Sequence, residues 1–210
     1  MRLYDSTVPS GNGYKIHLLL AQLGLSYQTS ELDILASPAE TRTAPFLAKN
    51  PNGRIPLLEL DDGRALAESG AILHYLAEGT RFLSDGRFER AQILQWMFFE
   101  QYSHEPYVAV LKFWTYWGGL ENLRSHELER LRVRGQAALD VMSTHLATRS
   151  FFVAERYSIA DIALFAYTQS AQAIGLAPSA SVSAWLTRVR EQDGFVPIKR
   201  DPYGKAPQHA

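Results

Sequence analysis

Cysteine is absent from this chain. That excludes a disulfide framework, a cysteine metal site, a cysteine nucleophile and Cys-x-x-Cys redox chemistry. If thiol chemistry occurs here, the sulfur arrives on a substrate. Net charge is nearly absent too, at −1 for 210 residues, which leaves no electrostatic case for nucleic acid or an anionic membrane. No apolar run reaches membrane-spanning length. The opening Met1-Arg2-Leu3-Tyr4-Asp5 lacks a signal-peptide core, so a cytoplasmic location without membrane attachment is expected. Histidines are present, but no His-Glu spacing of the zinc-site kind occurs, and no metal is expected. What remains is ordinary for a globular protein: 46% hydrophobic and 20% charged residues, enough for one large domain or two small ones.

The most informative stretch runs from Asn50 to Ser69. Asn50, Pro51, Asn52 and Gly53 punctuate a loop. Ile55-Pro56 and the apolar Leu57, Leu58 and Leu60 predict a short strand, and Asp62-Gly63 a two-residue hairpin turn. Glu68-Ser69 stands directly before Ala71, Ile72, Tyr75 and Leu76, which have helical spacing. A proline at a strand start costs no ladder hydrogen bond and leaves the Ile55 backbone available to a partner outside the sheet. A serine opening a helix sits beside unpaired N–H groups that favour an anionic ligand. Together these features suggest a cradle for a peptide-like molecule ending in a carboxylate.

Before this stretch, Arg2 to Asp5 reads as a strand, Ser6 to Gly13 as a loop, Tyr14 to Leu23 as a helix stopped by Gly24, and Ser26 to Leu32 as a second strand. Ser37-Pro38-Ala39-Glu40 predicts a cap with proline at the first helical position. Gly79 to Gly86 carries no periodicity and reads as a linker between a domain of residues 1–78 and one of residues 87–210. Beyond it only helical patterns occur: Phe88–Tyr102, Tyr107–Trp117, Ser125–Thr148, Ile159–Ile174 and Ser183–Arg190. Asp201 to Ala210 reads as a loose tail. Ser158-Ile159-Ala160-Asp161 has the spacing of a capping box, with Tyr157 and Ile162 at the hydrophobic-staple positions.

The segments Asn50-Pro51-x-Gly53-x-Ile55-Pro56 and Glu68-Ser69-x-Ala71-Ile72 resemble the glutathione-binding half of the cytosolic glutathione transferase family, and the resemblance extends over nearly the full length. It implies an α/β N-terminal thioredoxin-like domain followed by an all-α C-terminal helical domain, a cis bond at Ile55-Pro56, and a homodimer. It also implies glutathione as co-substrate, with its thiolate attacking a small hydrophobic electrophile. A non-catalytic binding protein of the same fold and a glutathione-dependent peroxidase or disulfide reductase are the alternatives.

The resemblance to serine-type members places a thiolate-stabilising hydroxyl in the first loop, and Ser10 is the expected catalytic residue, with Ser6, Thr7 and Asn12 as rivals. A free thiol has a pKa of about 8.5, and lowering it by two units takes about 2.7 kcal/mol of preference for the anion. A hydroxyl donor and a helix N-terminus supply that order of energy. Tyr4 falls inside the predicted strand and reads as core. For glutathione itself the expected contacts are the Ile55 backbone beside Pro56, Glu68 and Ser69 at the γ-glutamyl end, Arg54 or Lys49 at the glycyl carboxylate, and Asn12. The electrophile is expected against Tyr107, Trp114 and His104, in a segment too dense in aromatics for one helix face.

Overall fold

A computed structural model describes residues 1–199 of the chain. The tail expected over Asp201–Ala210 lies outside the described residues. The described residues form two units: Met1–Glu78 together with 193–199, and 79–192. Where the sequence suggests a second domain running from residue 87 onward, residues 193–199 return to the first unit.

The first unit is built on a four-stranded sheet in the order β2-β1-β3-β4. β1 (Arg2–Ser6) pairs in parallel with β2 (Gln28–Leu32) and antiparallel with β3 (Leu57–Glu59), which pairs antiparallel with β4 (Ala65–Ala67). Between β1 and β2 runs α1 (Gly11–Gln22), as a parallel crossover requires. Its apolar face, Ile16, Leu19 and Leu20, is fully buried with Leu3, Leu57 and Leu58 of the sheet. α1 begins three residues before Tyr14, because Ser10 caps it by accepting from the Gly13 N–H at 3.2 Å. The short α2 (Ala44–Leu47) precedes β3, and α3 (Ser69–Ala77) closes the unit with Ile72, Leu73 and Leu76 inward.

Two local expectations are corrected. Ser37-Pro38 is a cis turn and not a helix start; a 3-10 turn opens later at Glu40, and the helix-opening proline is Pro45 in α2. The β3–β4 connection is not a two-residue turn. Leu60 and Arg64 close it by a backbone bond, and Gly63 takes a φ of +84° there.

The second unit is helical among its described residues, apart from an isolated bridge between Val153 and Arg156. α4 (Arg87–Phe99) passes through a π-helical turn (Glu100–His104) directly into α5 (Glu105–Phe113), and a second π-helical turn (Trp114–Gly118) follows. The two separate helices expected over 88–117 are therefore one interrupted run. α6 (Ser125–Leu146), α7 (Ile159–Thr168) and α8 (Ala180–Arg190) complete the unit. Every residue of α7 is buried, which marks it as the core helix. It ends at Thr168, and the stretch expected to continue to Ile174 becomes a turn and a short 3-10 helix. The box at its start forms: the Ser158 N–H donates to Asp161 Oδ2 at 2.9 Å, and the Ser158 hydroxyl also accepts from the Ala160 N–H. Asp161 is fully buried and accepts further bonds from the Phe152 N–H and Trp185 Nε1. Burial raises its pKa to about 6 against the pull of those donors.

Candidate functional site

The loop before β3 is held by its own side chains. The buried Asn50 donates to the Arg54 carbonyl at 2.8 Å and accepts from the Asn52 N–H at 3.1 Å. Gly53 takes a φ of +61°, and a Cβ there would meet the Arg42 guanidinium at 2.6 Å. The chain then enters the cis Ile55–Pro56 bond. The backbone groups of Ile55 have no hydrogen-bond partner among the described residues, and the ladder of β3 begins only at Leu57. Unpaired main-chain groups ahead of a strand can pair with an extended peptide.

Across the hairpin, Glu68 adopts a φ of +67°, a conformation that costs a non-glycine residue energy and clusters at functional sites. It delivers Ser69 as the first residue of α3, a helix end with no side-chain cap. Ser69 is 4% exposed, and its hydroxyl donates to Asn12 Oδ1 at 3.2 Å. Lys15 Nζ donates to the same oxygen at 2.7 Å. Two donors on Oδ1 orient the Asn12 NH2 group the other way.

The expected site residues divide accordingly. Asn12 and Ser69 are bonded, and Glu68 adjoins Ser69 in sequence. Ser10 has its acceptor engaged by the α1 cap and lines a cavity of about 340 Å³ with Asp5, Tyr14, His17, Tyr27 and Ile198. No hydrogen bond joins it to Ser69 among the described residues. Ser6 is fully buried and accepts from the Val8 N–H, and the Thr7 N–H pairs with Leu32. Lys49 donates to Glu59, which also accepts from the Tyr4 hydroxyl at 2.7 Å. That bond raises the Lys49 pKa and lowers that of Glu59. Tyr4 is half-buried with a polar role, not the core residue expected from its strand. Arg54 is exposed.

In the helical unit the three expected pocket residues occupy different environments. His104 is fully buried; its Nε2 donates to the Thr168 hydroxyl at 3.0 Å, since that hydroxyl donates to the Leu164 carbonyl. Tyr107 is half-buried under the Arg130 guanidinium, 6.0 Å from ring centroid to Cζ. Trp114 is half-buried in the second π-helical turn, edge-on to Phe113.

One arrangement escaped the sequence. His17 Nε2 bonds Asp5 Oδ2 at 3.0 Å, and His17 Nδ1 bonds the Tyr27 hydroxyl at 2.7 Å. Burial, and then the Asp5 charge, raise the Tyr27 pKa. Nothing in the sequence spacing of these residues signals the chain, because tertiary structure alone assembles it. Among the described residues no group of three or more His, Asp and Glu is arranged to hold a metal ion, and no helix is long and apolar enough to cross a membrane.

Residues 9–78 match the family model "Glutathione S-transferase, N-terminal domain" and residues 125–188 match "Glutathione S-transferase, C-terminal domain". The chain is 34% identical over 193 residues to the disulfide-bond oxidoreductase YfcG of Escherichia coli, covering 88% of each. It is 29% identical over 184 residues to elongation factor 1-gamma-B of Xenopus laevis, spanning 82% of this chain but only 42% of that protein's length. Among solved structures it is similar to a glutathione S-transferase from Pseudomonas fluorescens, with 49% identity, a TM-score of 0.89, and 93% and 97% of the two chains covered. It is also similar to URE2P6 from Phanerochaete chrysosporium, crystallised with oxidized glutathione, at 26% identity, a TM-score of 0.81, and 92% and 91% coverage.

Proposed function

Because this chain belongs to the glutathione S-transferase family, we propose that it binds glutathione in the first unit and uses its thiol against electrophiles. The observation that carries this reading is the Asn12–Ser69 bond beside the unpaired Ile55 backbone and the positive-φ Glu68. The residues fit a tripeptide with charged ends. Ile55 supplies a main-chain donor and acceptor next to Pro56. Glu68 and Ser69, with the N-terminal N–H groups of α3, suit the ammonium and carboxylate of the γ-glutamyl end. Arg54 is the free-standing cation for the glycyl carboxylate; Lys49 must first leave Glu59.

Bound glutathione supplies the thiol. The chain's own part is to hold a donor where the sulfur lies and to offer the positive end of α1. The bond to Ser69 supports Asn12 in that role, because it ties the amide to the γ-glutamyl cradle. Ser10, engaged in capping α1, is the competing residue. Positioning and thiol ionisation together are the source of rate. Tyr107, Trp114 and His104 are proposed for the electrophile side. The exposed Phe88, Phe98 and Tyr102 suit a homodimer contact.

The similarity to YfcG over 88% of both chains favours a second reading, glutathione-dependent disulfide reduction. Parallel assays decide: glutathione with 1-chloro-2,4-dinitrobenzene, and glutathione with 2-hydroxyethyl disulfide. Turnover of the aryl halide supports conjugation. Turnover of the disulfide alone selects the second reading, and neither with no heat of glutathione binding rejects both.

A further inference from the structure

Lys112, near the end of α5, is 2% exposed. Lysine is almost never this buried without a partner. Yet no oxygen accepts a hydrogen bond from its ammonium among the described residues; its contacts there are the ring faces of Trp117, at 6.0 Å, and Tyr167, at 5.8 Å. Contacts at that range are weak cation–π interactions. They do not replace the hydration lost on burial, which is why the amine is pushed down to about 8.

The aromatic side of this arrangement is built by an irregular turn. An α-helix, at about 3.6 residues per turn, separates residues five apart by more than a third of the circumference. The π-helical turn Trp114–Gly118 brings positions i and i+5 together, and so sets the Trp117 ring over Lys112. Gly118 permits it, because a Cβ there would meet the Trp114 ring at 2.3 Å. The structure therefore holds an ammonium with spare donors inside an aromatic wall. The complementary group is an oxyanion attached to a flat apolar body.

We propose that Lys112 anchors the acidic group of an aromatic acid, a carboxylate or sulfonate, bound in the helical unit beside Trp117 and Tyr167. For the choice of substrate this rests on the transferase reading: the electrophile class becomes aromatic electrophiles that carry an acid.

The test titrates the full-length protein, without glutathione, with 4-chloro-3-nitrobenzoate and with its neutral amide at pH 7 by calorimetry. The acid is expected to bind at least tenfold more tightly than the amide, and Lys112→Met to remove the difference. Thermal melting checks that the variant folds; should it not, the acid-to-amide ratio of the unmodified protein decides alone. Equal affinities, no binding of the acid, or a preference that survives in a folded Lys112→Met overturns the assignment. A second arm measures kcat/KM for conjugation of the same two compounds with glutathione. If neither is conjugated while the binding preference holds, the transferase reading falls and the anchor stands.

Discussion

The Ser69 hydroxyl donates to the Asn12 amide oxygen at 3.2 Å, joining the first residue of α3 to the first turn of α1 across 57 positions of sequence. The bond ties the part of the cradle suited to the γ-glutamyl end to the donor proposed for the sulfur. Removing it acts on both. Ser69→Ala is expected to weaken glutathione binding about 10- to 100-fold, the loss of one or two hydrogen bonds to a charged group. Asn12→Ala is expected to lower kcat more than it raises KM. Ser10→Ala is expected to cost about 1 kcal/mol of stability, as a lost cap does, with kcat little changed. Steady-state kinetics and urea melts on the three variants read this out. Loss of kcat in Ser10→Ala alone would assign the sulfur donor to Ser10.

Lys112 has a stability signature independent of any ligand. Its folded pKa of about 8 lies below the ordinary 10.5. Between those values the folded chain holds fewer protons than the unfolded one, so stability rises with pH. The penalty for burying the charge is full below pH 8 and gone above 10.5. Lys112→Met is expected to be more stable than the parent at pH 7 by up to about 3 kcal/mol, with the gap closing toward pH 10.5. Urea denaturation at both pH values measures it.

Asp161 shows the opposite slope. Its pKa rises from 3.8 to about 6 on folding, so the folded chain holds more protons in that window. Its favourable contribution is complete below pH 3.8 and lost as pH rises through 6. Relative to Asp161→Asn, the parent should lose about 3 kcal/mol between pH 3.8 and well above pH 6. A pH-invariant difference between the two proteins would mean that the donors from Ser158, Phe152 and Trp185 fully offset burial, and a difference growing in the parent's favour with pH would mean that they outweigh it.

Gly13 sits inside α1, where alanine normally stabilises by about 1 kcal/mol. Here a Cβ would stand 2.0 Å from Asp5 Oδ1, and Asp5 is 1% exposed and bonded to His17. Gly13→Ala is expected to destabilise by about 1–3 kcal/mol, as overpacking does. Differential scanning calorimetry gives the sign directly.

The exposed stripe Phe88, Phe98 and Tyr102, with Phe98 68% and Tyr102 84% accessible, predicts association. Light scattering behind size exclusion is expected to give twice the chain mass for the parent and the single-chain mass for Phe98→Glu. Monomeric parent protein at tens of micromolar would remove the homodimer from the proposal.

Much of this molecule was legible from local rules. The Asn50 loop, the Glu68-Ser69 helix start and the Ser158 box each depend on residues close in sequence, and each formed, whereas the cis bond at Ile55-Pro56 followed only from the family resemblance. The misses have a common cause. The π-helical turns at Glu100–His104 and Trp114–Gly118 carry no propensity signal, because tertiary packing selects i→i+5 bonding. Ser37-Pro38 suits a turn as well as a helix start, and local sequence does not choose between them. Asn12 outranked neither Ser10 nor Thr7 by residue type; only its bond to Ser69, far along the chain, separates it from them. The Asp5–His17–Tyr27 chain and the burial of Lys112 are likewise products of packing, invisible to spacing.

Residues 193–199 complete the first unit from far along the chain. Lys199 donates to the Ser6 carbonyl and pairs with Glu31, and the Tyr14 hydroxyl donates to the Val196 carbonyl at 2.8 Å. Part of the first unit is therefore furnished by a segment that follows the whole of the helical unit in sequence. A fragment stopping at Glu78 would hold every strand of the sheet and still lack the Val196 carbonyl that accepts from the Tyr14 hydroxyl.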